Sequence, residues 1–181
     1  MSRRPIAILD ACVLVPMPVA DTLLRLAEPP ALYEARWTEE ILAEVTRTLI
    51  VRFGKSREKA LYRQRAIQEF FPHSMVVDYQ PLVAQMRNHP KDRHVLAAAV
   101  ACRADYLVTF NLKDFVSPSP DTHAVTAIGP SSFLKLLASR ERSVVEERLH
   151  QQASAIGISM NDLLDRLAGA VPGFVSVLRE R

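Results

Sequence analysis

The sequence predicts an α/β protein with a largely parallel sheet, followed by a small all-helical extension. Short apolar runs bounded by turn residues are typical of strands that are buried on both faces. Segments of helical period separate these runs, and this alternation favours a parallel sheet flanked by helices. After Gly129-Pro130 only helical patterns follow one another. We therefore predict an α/β domain over residues 1–129 and a helical extension over residues 130–181.

The individual elements are predicted from apolar patterning and from residues that begin or end helices. Thr38 and Ser56 are expected to be N-caps, and Gly54 and Pro72 to end the helices before them. The predicted strands are 5–9, 75–77, 106–109 and 124–128, with a Ser- and Pro-rich loop at 117–121. The predicted helices are 19–27, 39–52, 57–71 and 91–104, then 131–139, 141–156, 159–168 and 173–179.

Composition limits the possible classes of protein. The chain has 181 residues and 49% are hydrophobic, enough for one packed core, but no apolar run approaches the length of a membrane span. The two cysteines, Cys12 and Cys102, lie in apolar stretches and make neither a disulfide framework nor a zinc site. We expect a cytoplasmic protein. A net charge of +3 is compatible with nucleic-acid binding and equally with an ordinary soluble surface.

Acidic and amide side chains are predicted to converge at one edge of the sheet. Asp10 ends the first strand, Asp92 lies in the first turn of its helix, and Asn111 and Asp114 follow the YLVT strand. The carboxyl ends of parallel strands and the beginnings of the following helices share one side of a sheet, where ligands bind. Glu44 lies at the border of the apolar face of helix 39–52, from which it can reach this edge.

Each of these side chains also has a purely structural interpretation. Asp92 could only complement its helix dipole, Asp114 could only cap a turn, and Glu44 could pair with Arg47 or Arg52. Asp10 is the hardest to explain in this way, because a carboxylate that ends a buried strand is costly without compensation.

Converging carboxylates repel one another, and a hard divalent cation relieves the repulsion. Mg²⁺ and Mn²⁺ prefer oxygen ligands and suit phosphodiester chemistry. Other chemistries lack their motifs: the sequence has no GxGxxG after a strand, no Walker sequence, no GxSxG and no HExxH. His94 is interpreted as a helix-surface or core-edge group, with substrate contact as the alternative.

Four segments, taken in order, resemble the PIN-domain family of nucleases, in particular the VapC-type toxins, over roughly residues 5–128. ILDACVLV resembles the first motif with Asp10, EEILAEVTRTL the second with Glu44, and PKDRHVLAAAV the third with Asp92. ADYLVTFNLKDF resembles the fourth, which usually reads Thr-x-Asp and here begins at Thr109. The helical tail also resembles an extension found in one branch of the family.

The resemblance implies a PIN-like fold and a metal-dependent endoribonuclease of a type II toxin–antitoxin module. It implies Mg²⁺ or Mn²⁺ held by Asp10 and Asp92 with help from Glu44 and, in this sequence, Asp114, with Thr109, Asn111 and His94 as auxiliary residues. It also implies an RNA substrate, a cognate antitoxin protein as partner, a homodimer and no membrane association.

The sequence departs from the family pattern at two places. Ala11 and Cys12 stand where a Thr or Ser and a small polar residue are usual, which predicts the loss of hydrogen bonds near the metal. Asn111 stands where an aspartate is usual, so either Asp114 replaces its charge or the site is less negative.

Basic residues that could contact RNA lie near the predicted site and on one helix. Lys91, Arg93 and Lys113 are nearest, and further basic residues lie on and just before helix 57–71, namely Lys55, Arg57, Lys59, Arg63 and Arg65. The alternative is an ordinary solvated helix face. Leu61, Ile67 and Phe70 on that helix are expected to face a core or a partner.

The tail is predicted to pack on the domain, a second subunit or the antitoxin. A helix-turn-helix over 159–178 is disfavoured because Asp162 and Asp165 would repel DNA.

Three other functions remain open from the sequence. A DNA nuclease of related architecture would use the same carboxylates. A non-catalytic PIN-like module altered at Ala11, Cys12 and Asn111 would bind RNA or a partner without cutting. A receiver-like signalling domain fits poorly, because the adjacent acidic pair that it requires is missing.

Overall fold

The protein has a four-stranded parallel sheet with helices on both faces, which confirms the predicted α/β class and its PIN-like architecture. We describe it from a computed structural model, which defines residues 3–115 and 124–180. The strand order is β2-β1-β3-β4. The strands are β1 (Ile6–Leu9), β2 (Glu34–Arg36), β3 (Tyr106–Val108) and β4 (Thr126–Ile128). The predicted loop at 117–121 lies outside the described residues.

The central strands are short and almost entirely apolar because both of their faces are covered. Ala7, Ile8 and Leu9 in β1 and Leu107 and Val108 in β3 are fully buried. Ala7 lies opposite Tyr106 and Leu9 opposite Val108, so the two strands end at the same level of the sheet. This register places the residues that follow them side by side.

Six α-helices and two 3₁₀ turns complete the α/β part of the described chain. Thr38 and Ser56 are the predicted N-caps: their hydroxyls accept the backbone N–H of Ile41 at 3.1 Å and of Lys59 at 3.3 Å. The helices are α1 (Ala11–Leu14), α2 (Met17–Ala27), α3 (Glu39–Val51), α4 (Arg57–Phe70), α5 (Gln80–Val83) and α6 (Arg93–Ala101). The 3₁₀ turns are Pro90–Asp92 and Leu112–Phe115.

Two sequence predictions about these elements were wrong. Residues 75–77 form no strand; Met75 makes only an isolated parallel bridge with Trp37, while the edge strand β2 was not predicted. The helix predicted over 91–104 begins only at Arg93, because Pro90–Asp92 forms a 3₁₀ turn. Asp92 is therefore the residue that precedes α6, and not a member of its first turn.

The four C-terminal helices pack against the α/β part and extend its core. They are α7 (Pro130–Arg140), α8 (Arg142–Ala155), α9 (Met160–Ala168) and α10 (Pro172–Arg179). Phe133 of α7 contacts Tyr33 and Tyr106, with ring centroids 5.0 and 5.6 Å apart. Gln152 of α8 accepts a hydrogen bond from the Thr22 hydroxyl of α2 at 2.8 Å. The tail was predicted to pack on the domain, a second subunit or the antitoxin, and the structure shows that it packs on the domain. The domain boundary at residue 129 stays a prediction.

Within the described residues, every helix is too short or too polar to cross a membrane.

Candidate acidic site

Asp10 lies at the carboxyl end of β1 and is 4% exposed. Its backbone N–H donates to Val108 O of β3 at 3.1 Å, which fixes it against the neighbouring strand. The Thr109 hydroxyl donates to Asp10 Oδ2 at 2.7 Å and the Cys12 thiol donates to the same oxygen at 3.1 Å. No described residue donates to Oδ1, so one carboxylate oxygen is anchored and the other is available.

Cys12 makes hydrogen bonds where the sequence predicted their loss. Its sulfur lies 3.3 Å from Thr109 Oγ1 and accepts the Phe110 N–H at 3.2 Å, in addition to its bond with Asp10. Burial, followed by the Asp10 charge, raises the pKa of the thiol to about 12, so the side chain is a neutral donor. The predicted loss of side-chain hydrogen bonds was therefore wrong for Cys12. It holds for Ala11, whose methyl group has no polar atom.

Asp92 is also buried, at 7% exposure, and approaches Asp10. Burial raises its carboxyl pKa above the ordinary value, and the charges of Asp10 and Asp114 raise it further against the opposing effects of Lys91 and His89. In the described chain no side chain or backbone group donates a hydrogen bond to the Asp92 carboxylate, and His89 Nδ1 is 3.8 Å away. Two buried acids therefore share one end of the sheet, and of the two only Asp10 receives hydrogen bonds from the described residues.

Glu44 is held by a buried histidine beside these acids. Glu44 Oε1 lies 3.2 Å from His94 Nε2, and Glu40 Oε2 lies 3.6 Å from His94 Nδ1. Burial lowers the His94 pKa, but the contact with Glu44 and the charges of Glu40, Glu44 and Asp10 outweigh it and raise the pKa overall. His94 is thus a buried group bracketed by acids, so of its two structural interpretations the core-edge one agrees with the structure and the helix-surface one was wrong.

The fourth motif places its two polar residues differently. Asn111 is exposed and lines the cleft above Asp10, and its backbone N–H donates to the Thr109 hydroxyl at 3.0 Å. Asp114 is half-buried in the 3₁₀ turn, where its carbonyl accepts the His89 N–H at 3.0 Å. Its charge reaches Asp92, but Asp114 does not line the cleft.

These residues surround a cleft of about 320 Å³. Asp10, Asp92 and Glu44 form the acidic part of its lining, and residues at the end of α3 form another part. Thr48 and Phe53 were not predicted, and Arg52 was considered only as an ion-pair partner of Glu44. The four-residue spacing of Glu44, Thr48 and Arg52 is the sequence signal that could have identified this face of α3. The remaining lining residues are Ala11, Cys12, Val15, Pro16, Lys91 and Asn111.

The predicted basic residues are divided between the site and the rest of the surface. Lys91 and Lys113 are exposed, whereas Arg93 donates to the Asn88 carbonyl at 3.3 Å. Arg63 donates to the carbonyl oxygens of Leu14 and Val15, which caps the end of α1. Arg63 is therefore structural, while Lys55, Arg57, Lys59 and Arg65 are exposed. On the same helix Ile67 is buried, but Leu61 and Phe70 are exposed.

The donor set fits a divalent cation bound mainly through water. Among residues 3–115 and 124–180, no three His, Cys, Asp or Glu side chains are grouped closely enough for a cluster of protein ligands. Asp10 and Asp92 instead offer two buried carboxylates with oxygens that lack donors, and Mg²⁺ commonly binds one or two carboxylates while keeping several waters. Glu44 is turned toward His94, so it would act from beside such a cation.

A parallel sheet that carries one buried acid, Asp10, at the end of β1 and a second, Asp92, just before α6 is consistent with a PIN-like α/β fold. The chain is 36% identical over 105 residues to the "Putative ribonuclease VapC50" of Mycobacterium tuberculosis (strain ATCC 25618 / H37Rv), which is 56% of this chain and 62% of that protein. The match confirms the resemblance to VapC-type PIN-domain proteins and leaves the helical extension untested. The chain thus covers less than two thirds of this relative. No family model and no solved structure matches the chain.

Proposed function

We propose that the protein is a metal-dependent endoribonuclease, the toxin component of a type II toxin–antitoxin module. The observation that carries the proposal is the burial of Asp10 and Asp92 at one end of the cleft, where the charge of Asp10 raises the pKa of Asp92. Buried ionisable groups whose pKa is perturbed by a neighbouring charge in a cleft are typical of functional sites. The ribonuclease name of the relative supports RNA as the substrate.

Asp10 and Asp92 would hold Mg²⁺ or Mn²⁺ directly. The cation would supply an activated water and would neutralise charge on the phosphodiester. Thr109 and Cys12 anchor Asp10 Oδ2, so that Oδ1, which receives no hydrogen bond from the described residues, would be the oxygen offered to the cation. Glu44 Oε1 lies 3.2 Å from His94 Nε2, so Glu44 would act from beside the cation as a proton acceptor. Asp114 would act at longer range, by adding negative charge beside Asp92.

RNA cleavage by the wild-type chain and its Asp92→Asn variant, each with Mn²⁺, Mg²⁺ or EDTA, tests this proposal. Asp78→Asn is the matched control, since Asp78 is exposed and has a positive φ of 59° that asparagine adopts readily. We expect metal-dependent cleavage by the wild type and the control, and none by Asp92→Asn. Equal cleavage by all three chains would show that the activity does not come from the acidic site. In a parallel assay on DNA, preferential cutting of DNA would identify a DNA nuclease instead.

We also propose a cognate antitoxin and a homodimer as the protein's assemblies. The support for the antitoxin is the VapC name of the relative. Several large apolar side chains on and beside α4 are exposed, including Leu61, Tyr62 and Phe70, and such groups are typical of protein interfaces. Light scattering on the purified chain measures the dimer directly; a monomer at micromolar concentration would refute that part of the proposal.

A further inference from the structure

The cleft extends beyond its acidic end along one face of α3. Glu44, Thr48 and Arg52 are spaced four residues apart, and all three line the cleft. At 1.5 Å per residue, Glu44 and Arg52 are separated by about 12 Å along the helix. The cleft therefore leads from the candidate catalytic acids to a second region at the end of α3.

Phe53 forms the apolar part of this second region. It follows the last turn of α3 and is 59% exposed, yet it lines the cleft. Gly54 has a positive φ of 60° and ends the helix, and the Lys55 N–H donates back to the Leu49 carbonyl at 3.0 Å. This turn fixes the backbone beneath the aromatic ring, so Phe53 is presented from a defined position.

Cationic side chains lie in the same cleft as the exposed ring. Arg52 precedes Phe53, Lys91 precedes Asp92, and both side chains are exposed. Neither forms an ion pair with any residue in the described ranges. A ligand that satisfies these groups carries negative charge and a flat apolar face, as a nucleotide does.

We propose that Phe53 is a stacking platform for an unpaired base that flanks the scissile phosphate, with Arg52 and Lys91 contacting the backbone. This inference rests on the proposed ribonuclease function and defines its substrate class. A base inside a duplex has no free face to stack on protein, so the substrate is single-stranded where it enters the cleft. Stacking tolerates all bases, so Phe53 contributes affinity and not sequence selection.

Binding of a single-stranded RNA oligonucleotide, followed by fluorescence anisotropy, tests the platform without cleavage. All variants carry Asp92→Asn and are measured in EDTA. We expect Phe53→Ala to weaken binding between about 5-fold and about 100-fold, and Phe53→Tyr to restore it. Val51→Ala is the matched control, because Val51 is 75% exposed at the same helix end but does not line the cleft.

Phe53→Trp gives a second, direct signal of stacking. The native chain has one tryptophan, Trp37, which is fully buried, so a new indole at position 53 reports separately on the cleft. We expect single-stranded RNA to quench the new emission, and a duplex of the same sequence to quench it far less.

The outcomes separate this inference from the proposed function. Unchanged affinity in Phe53→Ala, no quenching in Phe53→Trp, or equal quenching by the duplex would each overturn the platform, even if the wild type cuts RNA. Loss of self-association in Phe53→Ala with unchanged RNA binding would overturn it too and assign Phe53 to a protein interface. Stacking without metal-dependent cleavage would support the platform and refute the nuclease.

Discussion

Thr109→Val removes the shortest hydrogen bond to Asp10 while keeping the volume of the side chain. The Thr109 hydroxyl donates to Asp10 Oδ2 at 2.7 Å and accepts the Asn111 N–H at 3.0 Å. Thr109 is completely buried, so water cannot replace the hydroxyl. We expect the variant to be less stable than the wild type and to place Asp10 less accurately.

The expected loss of stability follows from these two contacts. A hydrogen bond to a charged group contributes about 1.5–3 kcal/mol, and the Asn111 N–H that loses its acceptor adds roughly 1 kcal/mol. The free energy of unfolding should therefore fall by roughly 2.5–4 kcal/mol. For a chain of this size each kcal/mol lowers the Tm by about 2–4 °C, so the expected decrease is roughly 5–16 °C.

Thermal unfolding in EDTA, monitored by circular dichroism, measures this decrease, and Thr109→Ser is the matched control. The serine keeps the hydroxyl and loses only the buried methyl group, which contributes about 1 kcal/mol. The order of Tm should be wild type, then Thr109→Ser, then Thr109→Val. If Thr109→Val unfolds within a degree of the wild type, Cys12 alone anchors Asp10 and our assignment of Thr109 is wrong.

Four further predictions concern the acids, the bound cation, the histidine and the tail. Because its pKa is raised in the folded state, Asp92 destabilises the metal-free protein increasingly as pH rises from the ordinary value of 3.8 through the folded pKa. In EDTA at pH 7, Asp92→Asn should thus have the higher Tm, with the difference shrinking at acidic pH; equal Tm values at pH 7 would contradict this. Mn²⁺ at 100 times its Kd should stabilise the wild type by about 2.7 kcal/mol, a Tm rise of roughly 5–11 °C, and leave Asp92→Asn unchanged. His94→Ala should free Glu44 and lower kcat with a shifted pH profile, while His94→Gln retains part of the activity; an unchanged pH profile would exclude positioning by His94. Phe133→Ala should lower the unfolding free energy by about 3–5 kcal/mol in a single cooperative transition, whereas a separate early transition of the tail would show that it folds independently.

The general position of the site could be predicted because it depends on topology and not on detailed packing. β1 and β3 are both buried parallel strands, so Asp10 and Thr109 had to emerge at the same edge of the sheet. Glu44 was placed correctly beside the apolar face of its helix from the helical period alone. Its contact with His94 was not foreseen, since it joins α3 to α6, and no local pattern specifies which helices become neighbours.

The errors arose where a residue's role depends on partners distant in sequence. Cys12 was interpreted as a loss of polarity, yet its sulfur meets Thr109 and Phe110, which are 97 and 98 residues away. β2 was missed because its two half-buried positions carry Glu34 and Arg36, which form an ion pair at 2.8 Å and hide the strand pattern. Both errors show tertiary contacts overriding local preference.

Burying the two acids together is unfavourable for folding, and this cost is itself an argument for function. Asp10 and Asp92 are buried together, and no Lys or Arg within residues 3–115 and 124–180 forms an ion pair with either carboxylate. Replacing either acid by a neutral residue would relieve the repulsion, so the fold alone gives no reason to keep the pair. Conflicts between local chemistry and folding stability are expected at functional sites. Thr109 and Cys12 then act as supports that orient an otherwise unfavourable carboxylate for a ligand.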